Sequence, residues 1–144
     1  MFVCGCLGAA HAAVRVDCGS LQESARGAAV AIGYFSVTNT GPEERELLKI
    51  TSPLAERISL RQSSADAQGV EHEWPIASLH LPPGHTVRFA PENGRHLVLE
   101  GLSAPLHARM RVPITLQFDG GVPPVTLILV WHPSKVGISC NRHR

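Results

Sequence analysis

The sequence carries no excess of charge: thirteen Lys and Arg against twelve Asp and Glu leave a formal +1 over 144 residues. With the two signs interspersed there is no electrostatic footprint for nucleic acid or for an anionic membrane surface. Long apolar runs are missing after the first dozen residues, so no later segment reaches the length of a membrane-spanning helix. Enzyme signatures are missing too. There is no Gly-x-Ser-x-Gly, no phosphate-cradling glycine loop and no His-Glu-x-x-His, and the scattered Ser, His and Asp follow no catalytic spacing. No internal repeat or long linker divides the chain, whose length suits one domain. The remaining classes are binding and interaction proteins.

What is present is a globular composition, 44% apolar and 17% charged, punctuated by eleven prolines and thirteen glycines. Between these breaks lie short runs of Val, Ile, Leu and Thr, the signature of strands rather than helices. The runs predict ten strands: Val14 to Gln22, Ala28 to Asn39, Glu44 to Ser52, Glu56 to Gln62, Gly69 to Trp74, Ser78 to Leu81, Thr86 to Phe89, His96 to Glu100, Met110 to Phe118 and Val125 to Trp131. An all-β, two-layer sandwich follows from that number. Turn chemistry fills the gaps, as in Asn39-Thr40-Gly41-Pro42, Pro82-Pro83-Gly84, Pro91-Glu92-Asn93-Gly94 and Asp119-Gly120-Gly121. Alternation assigns faces: Leu97 and Leu99 point to the core, with His96, Val98 and Glu100 opposite. Val112, Ile114, Leu116 and Phe118 form a second apolar face, and Pro113 marks an edge or bulge.

Residues 1–13 are apolar and small and end in Ala10-His11-Ala12, the small-x-small form of a signal peptidase site. They read as the end of a signal peptide whose basic region is expected upstream, since no Lys or Arg precedes Arg15. The expected division is therefore a signal remnant at 1–13, a sandwich domain at 14–131 and a tail at 132–144. Once Cys4 and Cys6 are removed, the four cysteines reduce to Cys18 and Cys140. Such a pair is expected to close as a disulfide in an oxidising compartment, periplasmic or secreted.

Five segments carry a resemblance. They are Gly33-Tyr34-Phe35-Ser36-Val37-Thr38-Asn39-Thr40-Gly41, Ser52-Pro53-Leu54-Ala55-Glu56-Arg57-Ile58-Ser59-Leu60, Leu81-Pro82-Pro83-Gly84, Gly94 through Leu102, and Arg111 through Phe118. Their order and spacing resemble the periplasmic copper chaperones called PCu(A)C. The resemblance implies a cupredoxin-like Greek-key β-sandwich and, as partner, a copper-receiving or oxidase-assembly protein. It also implies a Cu(I) motif, H-x10-M-x21-H-x-M, whose thioether and imidazole donors suit a soft ion.

Carried over residue by residue, that motif is largely replaced. The first His falls on Arg61, which has no lone pair to donate. The Met falls on Glu73 by local pattern or on His72 by count, and one residue of slip decides which faces the site. The third ligand is retained as His96, and the fourth falls on Val98. Met110 is the only methionine after Met1 and lies on a strand that carries no ligand in the family. The candidate metal residues are therefore His96, His72 and Glu73. Imidazole and carboxylate favour Cu(II) or Zn(II) over Cu(I).

Arg61 is also placed to pair with Glu73 across the site, which would substitute an ion pair for a metal link. The alternative function is then a metal-free module that docks to another exported protein. His80 and His85 flank an exposed turn, Trp74 and Trp131 are expected to pack in the core or at strand ends, and Cys140-Asn141-Arg142-His143 is too sparse a donor set for a metal clip.

Overall fold

Because alternating apolar runs between turn residues can bury one face only by pairing, the described residues form ten strands and a single 3-10 turn. The structure is a computed structural model, and it describes residues 13–23, 29–107 and 109–131. In order, the strands are β1 (Val14–Glu23), β2 (Val30–Asn39), β3 (Arg45–Thr51), β4 (Ala55–Ala65), β5 (Glu71–Pro75), β6 (Leu79–Leu81), β7 (Thr86–Phe89), β8 (Arg95–Leu102), β9 (Arg111–Phe118) and β10 (Val125–Trp131). Every strand expected from the sequence is present, with ends shifted by a few residues. Cys140, His143 and the rest of the tail lie outside the described residues, as do the first twelve residues and Ala28.

Hydrogen bonding follows one continuous path, β5-β4-β8-β2-β1-β10-β9-β3-β6, with β7 beside β2. The path folds over on itself. Phe35, Val37, Leu97 and Leu99 from its first half share one buried cluster with Val112, Ile114, Leu116 and Leu129 from its second. At Gly33 the Leu129 side chain stands so near that a Cβ would meet it at 3.1 Å. The joint is β1, which pairs antiparallel with β2 along its length and parallel with β10 at Ser20 and Leu21. Its register breaks between Asp17 and Ser20, where Cys18 takes a left-handed φ of 65°. Such a bulge re-aims a strand.

Burial follows the alternation. On β2 every second residue from Ala31 to Asn39 is buried, and on β9 Val112, Ile114, Leu116 and Phe118 are buried. Leu97 and Leu99 are fully enclosed. Val98, on the opposite face, is also enclosed, because β8 is central and Val98 stands between Ile32 of β2 and Ser59 of β4. Pro113 sits where β3 has already run out, since that ladder ends at Thr51 opposite Thr115; a residue without an N–H fits there. Trp74 departs from expectation. It lies on the edge strand β5 and is 44% exposed, while Trp131 packs against the core.

One buried polar side chain ties the loops at one end. Asn39 is 0% exposed; its amide donates to the Glu43 carbonyl at 2.6 Å and the Leu81 carbonyl at 2.8 Å, and its oxygen accepts from Gly41 N–H at 3.0 Å. Both amide hydrogens and the side-chain oxygen thus have partners, as burial of an amide requires.

Candidate metal centre

The site is built on the outer face of β5-β4-β8-β2, and a tight turn delivers its central residue. After β7, Pro91–Asn93 forms one 3-10 turn that Gly94 ends at φ 73°, ψ 0°. The Asn93 side chain braces this turn, donating to the Arg88 carbonyl at 2.8 Å and accepting from Arg95 N–H at 3.0 Å. A Cβ at Gly94 would run into the Ser63 carbonyl, so only glycine allows β8 to start this close to β4. The Gly94 carbonyl in turn accepts from Ser63 N–H at 2.9 Å.

Register then sets the face. Arg61 of β4 stands opposite His96 of β8, and Ser63 stands opposite Glu73 of β5. Side chains at alternate positions share a face, so Arg61, Ser63, Glu73 and His96 project together. His96 Nε2 is 3.2 Å from Glu73 Oε1, with the two side chains 12% and 23% exposed. Its Nδ1 lies 3.0 Å from the Gly94 carbonyl. A carbonyl only accepts, so Nδ1 donates there and Nε2 is the nitrogen turned to Glu73; that second contact is a hydrogen bond only with a proton between the two, and a metal would take that proton's place. The Arg61 to Glu73 ion pair foreseen from the sequence is present, Nε to Oε1 at 3.7 Å, with Arg61 Nε also 3.3 Å from Ser59 Oγ.

His72 is placed elsewhere. Adjacent to Glu73 on a strand, it points to the other face, and its Nε2 is 2.8 Å from Asp66 Oδ2. The structure thus brings Glu73 to His96 and sets His72 apart. Asp66 also accepts from Gln68 and Val70 N–H, each at 2.9 Å. The His72 hydrogen bond, then the backbone ones, hold its carboxyl below the usual carboxylate range. A depressed native pKa gives stability that is present above the ordinary carboxylate value and lost as pH falls through the lowered one. In an NMR pH titration the Asp66 carboxyl is expected to titrate below a free aspartate, and His72→Ala to move its midpoint upward. An unmoved midpoint would count against the pair.

Beside His96 opens a pocket of about 280 Å³ lined by Ile32, Tyr34, Ser63, Glu71, Pro91 and Gly94. Burial, followed by the charges of Glu92 and Glu71, raises the Tyr34 hydroxyl above the usual tyrosine range. Sequence reasoning passed over Tyr34 and Glu71. The signal was available, because Phe35 points to the core and its neighbour must therefore face outward with His96.

Comparison with known proteins places this geometry. A family profile described as "Putative lipoprotein LpqE-like" matches residues 11–126. The chain belongs to the LpqE-like family. A curated relative, "Putative lipoprotein Lxx21020" of Leifsonia xyli subsp. xyli, is 30% identical over 104 residues, which are 72% of this chain and 62% of the relative's length. The LpqE-like chain therefore spans somewhat less than two thirds of that relative.

Among solved structures, the apo PCuAC domain from PmoF1 aligns with a TM-score of 0.64 at 20% identity, covering 83% of this chain and 93% of that one. The copper-bound PCuAC domain from PmoF2 gives 0.62 at 20% identity, over 81% and 90%. Apo-DR1885 from Deinococcus radiodurans gives 0.60 at 21% identity, over 90% and 85%. The LpqE-like chain shares the cupredoxin-like β-sandwich of the PCuAC domains.

The donor set does not fit a sulfur-based Cu(I) site. Val98 offers no donor, and Met110 is 5% exposed in the core. Among the described residues no group of three or more His, Cys, Asp or Glu is placed to hold a metal ion. Among the described residues of this face, one imidazole nitrogen and one carboxylate stand together, His96 and Glu73.

Proposed function

We propose that this chain is a periplasmic or secreted copper-handling domain of the PCuAC type, with Cys18 and Cys140 as its disulfide pair. Its metal site is reduced to His96 and Glu73, and it takes Cu(II) in preference to Cu(I). The observation that carries the reading is the 3.2 Å approach of His96 Nε2 to Glu73 Oε1 on the open face of the sandwich. The Gly94 carbonyl fixes the imidazole through Nδ1, which is the arrangement that orients a histidine ligand. A site with few protein donors releases its cargo easily, as a chaperone handing an ion to a copper-receiving or oxidase-assembly protein requires. His72, engaged with Asp66 on the other face, stays outside this site.

Titration of the chain with Cu(II) and Cu(I) tests the proposal. Cu(II) is expected to bind at micromolar affinity or tighter and Cu(I) more weakly. His96→Ala is expected to weaken Cu(II) by more than the roughly 10–100-fold that loss of an outer-shell partner produces. A second reading, a metal-free docking module, is favoured by one observation, the Arg61 to Glu73 ion pair. It takes over if neither ion binds as tightly as micromolar.

A further inference from the structure

The same carboxylate oxygen of Glu73 faces two partners. His96 Nε2 is 3.2 Å away and Arg61 Nε 3.7 Å away. Arg61 stands directly opposite His96 in register, its side chain 29% exposed, and Ser59 Oγ steadies its Nε at 3.3 Å. A guanidinium stays protonated at any working pH and has no lone pair for a metal. It is therefore a fixed cation beside the carboxylate oxygen that an ion held by His96 and Glu73 would also use.

From this geometry we propose that Arg61 is a tethered competitor for Glu73: it sets the threshold that a divalent metal ion must overcome to take the site. The inference rests on the His96 and Glu73 site proposed above. To bind, an ion must take Glu73 from Arg61 and tolerate a positive charge beside it. A borderline divalent ion gains both an imidazole and a carboxylate bond in exchange. Cu(I) has little affinity for carboxylate oxygen, so it gains only His96, leaves the ion pair in place and meets half the repulsion that a dication meets. The guanidinium therefore holds back the divalent ion more than Cu(I), against the preference of the donors themselves.

Calorimetric titration of the full chain with Cu(II) and Cu(I), alongside Arg61→Gln, Arg61→Lys, His96→Ala and the double variant Arg61→Gln/His96→Ala, tests the idea. A unit charge within about 4–6 Å shifts an ionic equilibrium by about one to three powers of ten. Arg61→Gln is accordingly expected to bind Cu(II) about tenfold tighter or more, and to widen the gap between Cu(II) and Cu(I). Arg61→Lys keeps the charge and stays near the wild type, and the double variant loses the gain. If Arg61→Gln binds no tighter than wild type while His96→Ala still weakens binding, Arg61 is no competitor and the site reading survives. If His96→Ala changes nothing in either background, the site itself fails, and this inference with it.

Discussion

Replacing Phe35 by alanine is expected to lower the free energy of unfolding by about 3–5 kcal/mol, the usual loss for truncating an enclosed aromatic residue. Phe35 is 1% exposed and Phe89 2%. The rings stack with centroids 4.8 Å apart and planes within 4°, and the two residues are direct partners in the β2 to β7 ladder. β7 is four residues long and pairs with β2 alone, so the stack is its main hold on the core. Aromatic pairs of this kind add about 0.5–1.5 kcal/mol beyond their buried area. Guanidinium melts should show a lower midpoint with an unchanged slope. Phe35→Leu should retain most of the stability, and a loss below about 1 kcal/mol for the alanine variant would contradict the role given to the stack.

The second large effect is expected at Gly94. Valine there must adopt φ 73°, a left-handed conformation that costs an L-residue about 1–2 kcal/mol. Its Cβ also meets the Ser63 carbonyl, adding overpacking of about 1–3 kcal/mol. The total is about 2–5 kcal/mol, and it falls where β4 and β8 meet. Because the Gly94 carbonyl is what His96 Nδ1 donates to, the variant should also release the imidazole. NMR of the ring should then report loss of the Nδ1 hydrogen bond that the parent shows. A variant as stable as the parent, with an unchanged His96 spectrum, would refute the account of the turn.

The succession of strands along the chain was readable because proline and glycine mark the turns and each run between them alternates cleanly. Leu97 and Leu99, and the even-numbered face from Val112 to Phe118, follow from alternation alone and are enclosed as expected. Alternation fails to give depth. Val98 points away from the main core yet is covered, because a central strand is shielded by neighbours on both sides, and sequence distance does not reveal which strands are central. Trp74 fails for the converse reason: an apolar residue on an edge strand stays open however large it is.

The site shows the same division. His96 was recognisable from its motif, and the ion pair of Arg61 with Glu73 from charge. Whether His72 or Glu73 meets His96 hung on one residue of register, because adjacent residues of a strand face opposite ways. The pairing of Ser63 with Glu73 resolves it, and pairing is a property of two strands that neither carries alone.

The contact between β1 and β10 sets the order in which the protein can mature. The first and last of the described strands are neighbours, so a chain lacking β10 leaves the seam between the two layers unsealed. Bringing together partners this distant in sequence delays the rewarding contacts until the closure entropy has been met. The contact that seals the two layers is therefore expected late in folding, and removing either β1 or β10 should open the same seam.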